Sequence, residues 1–210
     1  MVIWMIIAVI VSMIPILGSL AVTLFSPVVV AGFMIGAEFQ DRGEDFMISH
    51  LFAGFSSNLG QLVLAGVLYL LGMILCVTAM GVMMGGMFAM LGGISGMEEP
   101  ADPEMIAAIM SSPTMILALL VGLGLMIPVI MAYWFAPALI ALEGVSAIYA
   151  MKQSFVGCLK NVLPFLLYGI VGTILLFLGA LPLGLGLLIV IPILVASVYA
   201  SFKDIYYDYD

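Results

Sequence analysis

The chain has 210 residues, of which 66% are hydrophobic and only 8% charged, with a mean hydropathy of +1.38. A water-soluble domain of this length has too little interior to hide so much apolar side chain, so the solvent that fits is lipid. The net charge of −8, from twelve acidic and four basic residues, excludes a nucleic-acid-binding surface, which needs basic groups along a phosphate backbone.

Lipid gives the backbone no hydrogen-bond partner, so spans are helices or closed barrels, and a helix needs about 20 apolar residues to cross. The apolar runs here are continuous and lack the alternation of a barrel strand. Residues 1–14 form the first run, with no basic leader and no small-residue cleavage site, so no signal peptide is expected. "PILG" at Pro15 to Gly18 breaks it. Residues 19–37 follow, ending in the charged "EFQDRGED". Residues 46–58 are mixed and contain His50, the single histidine. Residues 59–91 form a long run rich in Gly and Met, and "GGISGMEEPADPE" is a flexible acidic loop. Residues 113–142 are apolar, with Pro128 and Pro137 inside. Residues 143–161 are mixed again and carry Lys152 and Lys160. Residues 162–181 and 187–202 are the last two runs, separated by "PLGLG" and followed by "KDIYYDYD". Pro and Gly make the breaks because Pro interrupts the helical ladder and Gly frees the backbone.

The expected fold is therefore all-α: a polytopic integral membrane helical bundle of about six transmembrane helices, forming a single domain over 1–210. A phrase within it is written twice. "FAGFSSNLGQLVLAG" at Phe52 to Gly66 and "FVGCLKNVLPFLLYG" at Phe155 to Gly169 share Phe, Gly, Asn, Leu and Gly at a constant offset. "SPVVVA", "APALIA" and "IPILVA" place Pro, three apolar residues and Ala in the second, fourth and sixth spans. These matches suggest three related two-helix units at about 1–41, 46–142 and 143–204, the later two each led by an interfacial amphipathic helix. Chance agreement between apolar sequences is the competing account. The mixed segments 46–58 and 145–161 are expected as short helices lying along the membrane surface, with Phe52, Phe55 and Phe155 in the acyl boundary and Lys152 and Lys160 reaching headgroups.

Charge placement orients the bundle. Arg42, Lys152, Lys160 and Lys203 all fall on one face, while Glu98, Glu99, Asp102 and Glu104 fall on the other. The positive-inside rule then puts the C-terminus in the cytoplasm and the loop 92–112 in the periplasm of a multi-pass protein of the bacterial inner membrane.

Few residues carry chemistry. No span has an ionisable group near its middle, and there is no nucleophile–base pair, phosphate loop or zinc motif, so no enzyme activity and no cofactor are expected. Cys76 and Cys158 show neither metal nor redox spacing, and a disulfide between them is not expected. His50 is expected as a surface or capping group. Cys76, Met80, Met83, Met84, Met87 and Met90 form a sulfur stripe on one helical face about 120° wide, which suits Cu(I) or, as the commoner case, flexible core filling. Asn58 and Asn161 sit at the starts of spans, where an Asn caps incoming N–H groups; a paired polar site at a pore mouth is the other possibility. Gly54 and Gly157, four residues earlier, allow close approach to a neighbour. Gly32 with Gly36 and Gly81 with Gly85 are GxxxG pairs that pack the bundle or seat a partner helix.

"HLFAGFSSNLG", "YWFAPALIAL" and "ASVYASFKDIY", with "DRGE" before the first, resemble the pattern of a family of proteobacterial inner-membrane proteins to which no activity is assigned. The resemblance covers nearly the whole chain and implies the fold and the membrane, not a catalytic residue. Members of that family carry an aromatic and basic amphipathic segment before the first span, which this sequence does not show. A more distant likeness is to membrane domains fused to glycerophosphodiester phosphodiesterases, which implies lipid contact. The functional expectation is a non-enzymatic accessory or scaffold subunit that contacts lipid and binds a membrane-protein partner or a second copy of itself. The alternative is a passive permease or lipid-handling protein.

Overall fold

In the computed structural model, the residues described are 17–45, 47–90, 111–181 and 184–207, with single positions at 4, 7, 11, 13, 14, 104 and 107. Among them there is no strand. Five helical stretches among the described residues are long and apolar enough to cross a bilayer: Leu17–Asp41, Leu59–Gly86, Pro113–Glu143, Val162–Ala180 and Leu187–Tyr206. The chain is an all-α polytopic membrane bundle. Most of the first expected span and most of the acidic loop lie outside the described residues.

Helix α1 covers Leu17–Asp41 and keeps Pro27 within it. It stops where Gly43 takes φ +81°, with Gly43 N–H on the Gln40 carbonyl and Glu44 N–H on the Phe39 carbonyl, a Schellman closure. The mixed segment that follows is not one helix. It is a 3-10 turn, Ile48–Phe52, running into the single turn α2, Ala53–Ser56. Helix α3, Leu59–Met90, has 32 residues.

The fourth expected span is two helices. Helix α4, Pro113–Trp134, ends at Phe135, and α5, Ala136–Glu143, restarts with a proline in its first turn and ends at Gly144 with φ +68°. Pro137 has no N–H to give to the preceding turn, and its ring opposes continuation. Helix α6, Ala147–Lys160, is the second mixed segment. Helices α7, Val162–Ala180, and α8, Leu187–Tyr206, complete the described chain.

The chain gathers into two compact units: Met1–Leu68 with Met131–Asp210, and Tyr69–Ile130. The core of the first unit is built from small residues around a few large ones. Ala31, Ala136, Ala147 and Ala150 are fully enclosed beside Met34, Leu62, Phe135 and Phe202. Lipid tails are as apolar as Leu, so close backbone approach and dispersion, not exclusion from water, hold such a core. The second unit pairs the later part of α3 with α4. A Cβ at Gly122 would lie 2.6 Å from the Met80 sulfur, and one at Gly72 would lie 2.9 Å from a Val129 methyl.

Candidate functional site

The repeated phrase resolves into two different packing devices. Gly54 lies directly against α1: a Cβ there would come within 1.9 Å of the Val28 carbonyl oxygen. Gly32 makes the reciprocal contact, with the Leu51 carbonyl 2.7 Å from where its Cβ would be. A glycine on each side lets two backbones touch. Gly36 is buried on the same helix. Gly157 faces the tip of Tyr206 instead: a Cβ there would come within 2.3 Å of its hydroxyl. Gly54 and Gly157 were interface candidates, but both are turned into the chain's own core. Gly81 and Gly85 have nothing within 4 Å, so this GxxxG pair packs no described part of the chain.

The two asparagines do not cap with their side chains. Asn58 Nδ2 donates to the Ile140 carbonyl at 3.3 Å, and Asn161 Nδ2 donates to the Gly157 carbonyl at 2.9 Å. Capping requires a side-chain oxygen that accepts, and α7 has no such bond at Asn161. Asn58 contributes instead through its backbone, holding φ +31° while its carbonyl accepts from Gln61 and Leu62. Its amide reaches the last turn of α5. Gln61, three residues on, accepts the Ala147 N–H at 2.8 Å through Oε1. Asn58 and Gln61 together clasp the turn between α5 and α6 at both of its ends.

Ser154 is the centre of the second mixed segment. It is 0% exposed, and its hydroxyl accepts the Phe135 N–H at 2.9 Å and donates to the Met131 carbonyl at 2.7 Å. In an unbroken helix those two groups bond to each other. A serine from α6 has entered the ladder and holds the break at Phe135 open. Cys158, one turn on, points its thiol at the same Met131 carbonyl at 3.6 Å. Burial pushes that thiol up to about 11, with the hydrogen bond from Ser154 acting the other way. The sequence signal for this face was present: Ala147, Ala150, Ser154 and Gly157, buried at helical spacing. Gln61 and Ser154 were not singled out, because the backbone groups they bind lie 86 and 19 residues away in sequence.

The ends of α1, α5 and α8 meet at one charged edge. Lys203 Nζ lies 2.5 Å from Asp41 Oδ2, Arg42 pairs with Glu38, and Tyr207 bonds to Glu143. Burial, followed by that bond to Glu143, raises the Tyr207 phenol well above its ordinary value. Tyr206 donates to the Gln153 carbonyl at 3.0 Å and so ties α8 to α6. Of the two roles expected for His50, the structure gives it the capping one and not a place on the surface. It is buried, its ring stacks on Phe39 at 4.5 Å, and its Nδ1 accepts the Met47 N–H at the start of the 3-10 turn.

The sulfur stripe is divided. Cys76 is buried and donates to the Leu125 carbonyl at 3.3 Å, and Met80 packs on Gly122, whereas Met83 is exposed and Met84 half-buried. The Met87 and Met90 side chains lie outside the described residues. Among the described residues no three His, Cys, Asp or Glu side chains gather in a metal-binding group. Further polar groups in the spans also meet the chain's own atoms. Tyr168 reaches the Leu194 carbonyl at 3.1 Å and Ser197 at 3.0 Å, and Ser26 meets Tyr133 at 2.6 Å.

A probable inner membrane protein of Burkholderia thailandensis is 30% identical to this chain over 195 residues, covering 90% of the chain and 68% of that protein. The chain belongs to the same family. No family model matches it, and no solved structure does. As a member of this inner-membrane family, the chain is a multi-pass protein of the inner membrane whose spanning helices contact lipid.

Proposed function

We propose that this inner-membrane protein is a non-enzymatic accessory or scaffold subunit that binds another membrane component. The observation that supports this reading is where the polar side chains of the bundle are spent. Ser154, Asn58, Gln61, Tyr168 and Cys76 each bond to backbone groups of the chain itself. A catalytic or conducting site needs polar groups aimed at a substrate or a water path. Within the described spans these groups are turned onto the chain itself, and the exposed faces of those spans offer mainly shape and hydrocarbon. Gly81 and Gly85, open on α3, are proposed as the place where a partner helix or a second copy seats. Isolation from native membranes in mild detergent, followed by mass spectrometry, tests the reading. The expected result is a second membrane component, or a second copy, in constant ratio to the chain, lost on Gly81→Leu with Gly85→Leu. A monomer recovered alone, in both the native and the doubly substituted form, overturns it.

The orientation is part of the proposal. Arg42 and Lys203 lie at the same charged edge, and this supports a cytoplasmic C-terminus. A reporter active only in the periplasm is expected to work when fused near Pro100 and to be silent after Asp210. Activity at the C-terminal fusion reverses the assignment.

A further inference from the structure

A groove of about 390 Å³ runs along α1 in the first unit. Ala21, Val22 and Phe25 form one wall, and Trp4 and Ile7 belong to the other. Phe55 stacks on Trp4 at 6.0 Å and on Phe25 at 6.2 Å, so the aromatic part of the wall is held in place by its own contacts. The polar groups at the groove are already engaged. Trp4 Nε1 donates to the Leu51 carbonyl at 3.2 Å, and the Ser26 hydroxyl bonds to Tyr133. Among the described residues no polar group at the groove is left to hold water, and an apolar lining of this kind stays dry.

An empty groove would forfeit dispersion contacts along its whole lining. Its lining on α1 extends from Ala21 to Val30, which is about 14 Å along a helix that crosses the membrane. Ile7, Phe25 and Phe55 are exposed at its rim, so the groove is continuous with the lipid-facing surface. Its volume falls in the range of small-molecule sites. We propose that this groove holds one acyl chain of a membrane phospholipid as a resident ligand, distinct from the lipid that surrounds the bundle. The site goes beyond the subunit reading and stands or falls without it.

The chain has two tryptophans, so Trp134→Phe leaves Trp4 as the sole reporter. Trp134 Nε1 is buried with no hydrogen-bond partner, and phenylalanine removes that cost while keeping a ring. The full-length variant, purified and delipidated in detergent, is titrated with phosphatidylethanolamine carrying a dibromostearoyl chain, which quenches tryptophan on contact. The expected result is a saturable loss of Trp4 fluorescence that ends at about one lipid per protein. Ala21→Phe and Val22→Phe, each added to Trp134→Phe, fill the groove and are expected to weaken the saturable step roughly tenfold or remove it. The proposal is overturned by a Trp134→Phe protein whose quenching only tracks bulk brominated lipid, whatever the two further variants do. It is equally overturned if folded Ala21→Phe or Val22→Phe saturates as its parent does. Free dibromostearate that saturates where the phospholipid does not also overturns it, because the ligand would then be a fatty acid. A protein or helix seated in the groove would keep Trp4 from being quenched and has the same consequence.

Discussion

Gly54→Ala is expected to cost about 3 kcal/mol and to remove most of the folded protein from detergent extracts. The added methyl would sit 1.9 Å from the Val28 carbonyl oxygen and 3.1 Å from the Gly32 nitrogen. Both are backbone atoms of α1, so relief requires the helix itself to move. Its counterpart in the repeated phrase is expected to behave differently. Gly157→Ala meets the Tyr206 hydroxyl, the tip of a side chain that can swing aside and give up its bond to Gln153. A loss of about 1 kcal/mol is expected there. Gly81→Ala enters open space inside a helix and should stabilise slightly, by about 0.5 kcal/mol, because alanine has less backbone freedom to lose. Thermal unfolding in one detergent, with the folded fraction followed by size exclusion, ranks the three. Equal stability of Gly54→Ala and Gly157→Ala would mean that the contact between α1 and the turn at Leu51 is not a structural lock.

Ser154→Ala is expected to cost about 2 kcal/mol, or roughly 4–8 °C in unfolding temperature. Alanine leaves the Phe135 N–H and the Met131 carbonyl facing each other across the break, both buried and without the hydroxyl that joins them. Ser154→Cys keeps a weak donor and acceptor of similar size and should recover part of the loss. Ser154→Val fills the space without a polar atom and should lose more than alanine, since the site is fully enclosed. Unfolding temperatures in the order native, Cys, Ala, Val test the argument. If Ser154→Ala matches the native protein, the Phe135 N–H has closed directly onto Met131, and the break does not depend on the serine.

The membrane class and the helices could be read from composition and run length because hydrocarbon thickness imposes a length on every span. The run at 59–91 became Leu59–Met90, and that at 162–181 became Val162–Ala180. The break at Phe135 was not legible, although Pro137 was noted, because proline inside a membrane helix is compatible with either a kink or a stop. Pro27 and Pro192 remain inside α1 and α8, while the fourth span divides. What decides between them is Ser154, 19 residues from Phe135 in sequence and supplied by another helix. Asn58 was misread for a related reason. An Asn before a helix suggests a local cap, but Asn58 is 82 residues from the carbonyl it serves. Local spacing carries no record of such partners.

The clasp at the turn between α5 and α6 has a consequence for biosynthesis. Asn58 and Gln61 are made early, whereas the Ala147 N–H that Gln61 binds comes 86 residues later. At translation rates of about 5 to 20 residues per second, Gln61 waits roughly 4 to 17 seconds for its partner. During that interval its amide, and that of Asn58, must be solvated at the membrane surface or by the insertion machinery, since hydrocarbon would charge each unpaired group several kcal/mol. The Lys203 to Asp41 pair, 162 residues apart, forms later still. Insertion therefore runs ahead of tertiary closure, and the nascent bundle is most exposed to quality-control proteases before α5 and α6 have emerged.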